Sequence, residues 1–359
     1  MANAGKGKHV TGEDQEEQRL AAYFAARWPD EKVSISDYKR SASGHSNETR
    51  LFTLTRTKDG AASSQNLVAR WAPSGAQSHF QDYDIAFQYR ILVALAKNGI
   101  PVPEVILYEP DTSIVGSDFF VMARIDGDVT SDYPPGYHGH GFLFEASVEN
   151  RAKVWWRALE VMARVNLIDW HQPEFDFMDR PASGTEAVRK QLALYRKLAD
   201  WASETPIEPI ERALDWLEAN VPAAPPLALC WSDGRPGNII YQDYEPAAAL
   251  DWETAYIGPP ENDLAWFWLV DEVAYVVHQQ KRLEGLPSLE ETTQRFSELL
   301  GRPLQDLDYY FVMQGVWMAI MMAISAKTYI ARGIEGFPED YATNNFSVQR
   351  LEQLLEKAS

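Results

Sequence analysis

Two carboxylates and an amide stand out in the segment Leu229-Cys230-Trp231-Ser232-Asp233-Gly234-Arg235-Pro236-Gly237-Asn238-Ile239-Ile240, followed by Ala249-Leu250-Asp251-Trp252-Glu253. An Asp with an Asn five positions later is a weak signal alone. The surroundings sharpen it. Apolar runs enter and leave the loop, Leu227 to Cys230 and Ile239 to Tyr241, and a second run, Ala247 to Leu250, delivers Asp251 just past a strand end. Phosphoryl transfer asks for a carboxylate that orients or deprotonates the attacking hydroxyl, and for oxygen ligands that hold Mg2+ on the nucleotide phosphates. Asp233 fits the first role and Asn238 with Asp251 the second, and an oxygen-only set suits hard magnesium. Arg235 adds a fixed cation that could neutralise charge on the transferred group through directed hydrogen bonds. Separately, each residue has an ordinary explanation: Asp233 as a turn cap, Gly237 and Asn238 as bend formers, Asp251 as a surface carboxylate. Together, at the spacing that kinase catalytic loops use, they favour the chemistry.

The elements that must position them are legible around this block. Leu20, Phe24 and Trp28 recur at helical spacing after a capping box of Thr11 and Asp14, and Pro29 stops the run. Thr49 to Arg56 and Asn66 to Trp71, separated by Lys58-Asp59-Gly60, read as a β-hairpin or meander. Ile85 to Ala96 reads as a helix closed by Asn98-Gly99, and Glu104 to Tyr108 and Phe119 to Arg124 as further strands. From about Glu145 the pattern is mostly helical, apart from the β-type block between Leu227 and Asp251. Strands with one helix first, then helices with a small β insert, predict an α+β protein of two lobes joined near Met122 to Gly127. The expected division is a β-rich N-terminal lobe over 1–124 and a larger helical lobe over 125–359.

Composition narrows the partners. A formal charge of −19 over 359 residues disfavours binding along a nucleic-acid backbone. The one cysteine, Cys230, leaves no internal disulfide framework and fits a reducing compartment. Met1 to Lys8 lacks the apolar core of a secretory signal. A cytoplasmic location is the expectation. The longest apolar run, Gly315 to Ile324, is short for a bilayer crossing, and Val312, Val316, Ile320 and Ile324 read as the buried stripe of a helix.

With its Asp233-Gly-Arg-Pro-Gly-Asn238 loop, the chain resembles the aminoglycoside phosphotransferase and choline kinase-like superfamily, and most of all the kinase-like domains fused to acyl-CoA dehydrogenases. The likeness runs from about Ser41 to Asp263. It implies a bilobal protein-kinase-like fold, Asp233 as catalytic base, Mg2+ on Asn238 and Asp251, and Asp263, in Asn262-Asp263-Leu264-Ala265, as a buttress of the catalytic loop. It also implies a nucleotide end. Gly44, His45, Ser46 and Asn47 fall where the family has its phosphate-covering loop, Arg70 in the slot of the phosphate-holding basic residue, and Met122 and Arg124 on the strand whose backbone meets the adenine. Two departures are visible: Gln88, or Asp84 one turn earlier, stands where a Glu would pair with that cation, and Trp231-Ser232 replaces the usual His-Gly.

The twelve positions from Asp251 to Asp263 are too few for the activation segment with which protein kinases hold a peptide, which favours a small hydroxyl-bearing substrate. Asp169, Glu261, Trp266, Trp268, Asp271 and Tyr275 are the expected pocket residues, although aromatics at such spacing are more often core. Three functions follow in order: a kinase using ATP or GTP, a catalytically weak nucleotide or metabolite sensor, and a metal-dependent hydrolase. The hydrolase comes last because no His cluster accompanies the carboxylates.

Overall fold

The computed structural model describes residues 12–41, 47–73, 84–132, 134–331, 338 and 340–359. Thr11 of the expected capping box and Gly44, His45 and Ser46 of the expected phosphate loop lie outside the described residues. The chain forms two compact units, one up to Tyr89 together with Pro103–Arg124, the other Arg90–Val102 together with Ile125–Ser359.

In the first unit, α1 (Gly12–Arg27) precedes β1 (Lys32–Arg40), β2 (Glu48–Lys58), β3 (Ala61–Trp71), the start of α2 (Ile85–Lys97), β4 (Val105–Glu109) and β5 (Phe119–Ala123). The strands make one antiparallel sheet in the order β1-β2-β3-β5-β4. Asp59 and Gly60, both at positive φ, turn β2 into β3 with Lys58 opposite Ala61, as a two-residue hairpin requires. That turn fixes the register, so Arg70 pairs with Thr49 on one side and Phe120 on the other. Leu20 and Phe24 of α1 pack with Phe52, Leu54, Leu67, Trp71, Phe119 and Val121 in the core. Removing one of these rings would cost about 3–5 kcal/mol. Arg50 is a buried charge beside this core, paired with Glu16 and Glu48 and stacked over Trp71. Strand β1 had no clear reading in the sequence, since its polar, mostly exposed side chains give little periodicity and its pairing to β2 defines it.

The second unit holds α3 (Gly141–Glu145), α4 (Val148–Asn166), α5 (Gly184–Ala202), α6 (Glu208–Ala219), β6 (Ala228–Cys230), β7 (Ile239–Gln242), β8 (Glu245–Ala249), β9 (Tyr256–Gly258), α7 (Pro260–Val276), α8 (Leu289–Leu300), α9 (Leu307–Ala331) and α10 (Phe346–Ala358). Its strands form two small ladders, β6 with β9 and β7 with β8. Helix α9 contains the expected stripe, with Val312, Val316, Ile320 and Ile324 all at 0 % exposure, but Phe311, Met313 and Trp317 are buried too. The helix is longer than its apolar run implied. By length and composition Leu307–Thr328 could cross a bilayer, and 83 % of its most apolar window is buried within the fold. Helices α5, α6, α7 and α10 pack around it.

Candidate active site

The loop that carries Asp233 begins where β6 ends, and β9 holds β6 in place by pairing Cys230 with Tyr256. The backbone then turns sharply, with Ser232 at φ 72, a left-handed conformation costing roughly 1–2 kcal/mol for a residue with a Cβ. Asp263, in the first turn of α7, stabilises that turn. Its Oδ2 accepts from Trp231 N (2.9 Å) and Asn166 Nδ2 (2.9 Å), and its Oδ1 from Ser232 N (2.8 Å). Burial pushes the Asp263 carboxyl up to about 6, against the pull of these donors.

Asp233 follows, with 30 % of its side chain open to solvent. Its Oδ1 accepts from Trp266 Nε1 at 2.7 Å and Arg235 Nε at 3.2 Å, and its Oδ2 from Asn238 Nδ2 at 2.6 Å. The same Asn238 amide also bonds the Asp233 carbonyl at 2.9 Å, so the two residues close the loop between them. Burial raises the Asp233 pKa, the Arg235 charge opposes this, and the Asp251 charge raises it again, leaving the net shift upward. Arg235 is held from its far side as well, its Nη1 bonding both oxygens of Asp132 at 3.0 and 2.8 Å. Gly237 makes room for this, since a Cβ there would collide with Arg235 Nη1.

Asp251 comes to the loop through the β7–β8 hairpin. Ile239 pairs with Ala249, and Leu250 N donates to Asn238 O at 2.8 Å, which sets the next residue beside Asn238. Trp231 stacks on Trp252 (4.5 Å between centroids), and its indole N–H donates to the carbonyls of Leu250 (3.0 Å) and Asp251 (3.2 Å). Thus the tryptophan at the usual histidine position ties the two halves of the site together. Among the described residues no group of three or more His, Cys, Asp or Glu side chains forms a metal cage. The donor set nevertheless fits magnesium, which binds through one or two carboxylates with the nucleotide phosphates and water completing its octahedron. Asn238 turns its amide nitrogen toward Asp233, leaving its oxygen as the ligand end.

Residues 37–294 match the family model described as the phosphotransferase enzyme family, APH. The chain belongs to this phosphotransferase family. Acyl-CoA dehydrogenase family member 11 of Homo sapiens is 27 % identical over 285 residues, covering 76 % of this chain and 33 % of the relative. The phosphotransferase chain therefore spans about a third of the length of that curated relative. A Ralstonia eutropha protein of the aminoglycoside phosphotransferase class has a similar structure, with a TM-score of 0.70 and 19 % identity over 95 % of this chain and 97 % of that one. A thermostable mutant of aminoglycoside phosphotransferase APH(4)-Ia, solved as a ternary complex with ADP and hygromycin B, gives a TM-score of 0.59 and 15 % identity over 94 % of this chain and 98 % of that one. The fold is kinase-like, a β-sheet N-terminal unit and a mostly helical C-terminal one.

Several expected pocket residues of the phosphotransferase are placed differently. Glu261 is fully buried, gripped by both Arg302 nitrogens (2.6 and 3.1 Å) and by Gln305 N, so it anchors α7 and is closed to substrate. Asp271 is also sealed, accepting from Tyr137 Oη (2.7 Å), His138 Nε2 (3.1 Å) and Arg282 Nε (2.7 Å). Burial raises its pKa, but the His138 hydrogen bond and the Arg282 charge outweigh that and lower it. Trp268 takes up Arg282 against its ring, and Tyr275 meets the edge of His138. Asp169 is 65 % exposed, and its carboxylate accepts from His171 two residues on. Trp266 is in the site, bonded to the carboxylate of Asp233. Sequence reasoning missed Asp132, a loop residue 103 positions before Arg235 with no motif around it, and Asn166, which bonds both Leu229 O and Asp263.

Within the first unit, Arg70 is half-buried on β3 and Met122 is buried on β5, while Arg124 is exposed and its backbone N–H bonds Asn66 O at 2.9 Å. Gln88 is buried and donates its amide to Asn47 Oδ1 at 3.3 Å. The alternative pair for Arg70, Asp84, caps α2 instead by accepting from Phe87 N at 2.7 Å.

Proposed function

We propose that this phosphotransferase is a small-molecule kinase that moves the γ-phosphate of ATP, or GTP, to a hydroxyl of its acceptor, with Asp233 as the base. The observation that carries the reading is the Asp233 carboxylate itself. It is partly open, oriented by Trp266, Arg235 and Asn238, and within electrostatic reach of Asp251. A carboxylate so placed orients the acceptor hydroxyl and receives its proton. When bound, magnesium would draw charge from the transferring phosphate, with Asn238 and Asp251 as its protein ligands. Arg235 supplies a nearby cation, and in this state Asp132 shares it. Arg70 is the proposed cation for the nucleotide phosphates within the first unit. The ADP complex of the structural neighbour APH(4)-Ia supports nucleotide use.

The test is ADP release from ATP with magnesium, measured across a panel of hydroxylated metabolites. Turnover should appear with at least one of them, or slowly with water. An Asp233→Ala protein releasing ADP as fast as wild type would reject Asp233 as the base. The second reading, a weakly active nucleotide sensor, draws on Gln88, whose neutral amide donates to Asn47 and stands where the family resemblance implies a Glu. It predicts magnesium-dependent nucleotide binding in the thermal shift without any Asp233-dependent ADP release.

A further inference from the structure

We propose that Trp266 is a positioning residue for phosphoryl transfer, turning the Asp233 carboxylate so that Oδ2 is the atom that takes the acceptor's proton. The inference rests on the kinase reading above and deepens it.

Each carboxylate oxygen accepts two hydrogen bonds comfortably. Oδ1 has both: the Trp266 indole N–H at 2.7 Å and the Arg235 Nε–H at 3.2 Å. Oδ2 has one, from Asn238 Nδ2 at 2.6 Å. The remaining acceptor capacity of Asp233 therefore lies on Oδ2. Without the indole, nothing on α7 would stop the carboxylate from rotating about its Cβ–Cγ bond and presenting either oxygen. Arg235 holds Oδ1 less firmly, because its guanidinium is also committed to Asp132. The indole, by contrast, is carried three residues after Asp263, which holds the loop backbone. One helix thus fixes the loop's backbone and the angle of its reactive side chain. In the transfer step the acceptor oxygen bonds the γ-phosphorus while the bond to the bridging oxygen breaks, ADP keeps that electron pair, and the acceptor proton passes to Oδ2.

The experiment uses the full chain with Mg-ATP and water as the acceptor. Trp266→Phe keeps a ring in place and removes the N–H. It should lower kcat roughly 10- to 100-fold, the factor expected for losing a hydrogen bond to a charged group, with KM for ATP nearly unchanged. In an Asp233→Ala background the same change should alter the residual rate by less than about twofold, because the bond is already gone. The indole N–H of Trp266, assigned in the 1H–15N spectrum of the wild type, should move upfield on Asp233→Ala. A raised KM at constant kcat would make Trp266 a substrate contact and overturn the proposal, as would a full effect in the Asp233→Ala background. An indole resonance that ignores Asp233→Ala would overturn it too, even where Trp266→Phe failed to fold. A wild type with no ATP turnover, with water or with any metabolite of the panel, would instead defeat the kinase reading, and the indole resonance would still judge the clamp.

Discussion

Asp233 and Asp271 are both carboxylates surrounded by three side-chain donors, and the protein treats them in opposite ways. Asp271 is 0 % exposed, faces the cation Arg282 with His138 and Tyr137, and has its pKa lowered. Asp233 keeps 30 % of its surface open, shares its cation with Asp132, has the like charge of Asp251 nearby, and has its pKa raised. The difference lies in compensation rather than in donor count. Charge at Asp271 is matched and sealed, which serves the fold, whereas charge at Asp233 is left partly unmatched and reachable, which suits the proton transfer proposed for it.

That contrast can be broken from either end. The largest expected effect is on Asp233→Ala, which should lower turnover by about 10² to 10⁴, with little loss of melting temperature, in steady-state and calorimetric measurements. Next is Asp271→Ala, which leaves the buried Tyr137 and His138 and the partly buried Arg282 without their acceptor and should cost about 3–5 kcal/mol in denaturant unfolding. If the two variants exchanged effects, the division into chemical and structural carboxylates would be wrong. Asp263 sharpens the comparison through pH. Its folded pKa of about 6 lies above the ordinary value, so the folded state favours its protonated form. That contribution is fully present below the unfolded value near 4 and is lost as pH rises toward 6, roughly 3 kcal/mol in all. Wild-type stability should carry this decline, and Asp263→Asn should flatten it in urea titrations across that window. The smallest effect is Asp132→Asn. Its carboxylate is 52 % exposed, so the pair with Arg235 should contribute less than about 1 kcal/mol to stability. Any larger change in turnover than in stability would mark Asp132 as a control on Arg235.

How much of this was legible in the sequence depends on how local the signal was. The loop from Asp233 to Asn238 and the run ending at Leu250 could be read because spacing along the chain sets their geometry, through one bend and one hairpin. The hairpin at Asp59-Gly60 and the buried stripe of α9 were equally local. What the sequence hid was exposure. Glu261, Asp271 and Trp266 all lie on α7 and looked alike as pocket candidates, yet their partners Arg302, Arg282 and Asp233 lie off that helix and decide which is sealed. Asp132 was invisible for the same reason, being an ordinary loop aspartate until Arg235 folds against it. Strand β9, three residues long, has no periodicity to detect and exists because β6 needs a partner.

Helix α7 works as a rigid ruler for the site. Asp263, Trp266 and Asp271 mark fixed points along it, touching the loop backbone, the Asp233 carboxylate and the 137–138 segment respectively. An inserted residue between the first and the last would swing one mark about 100° away from the others, since each residue advances the spiral by that angle. Such a chain could still bury its apolar surface and fold, but its measuring points would no longer agree on where the Asp233 carboxylate should stand.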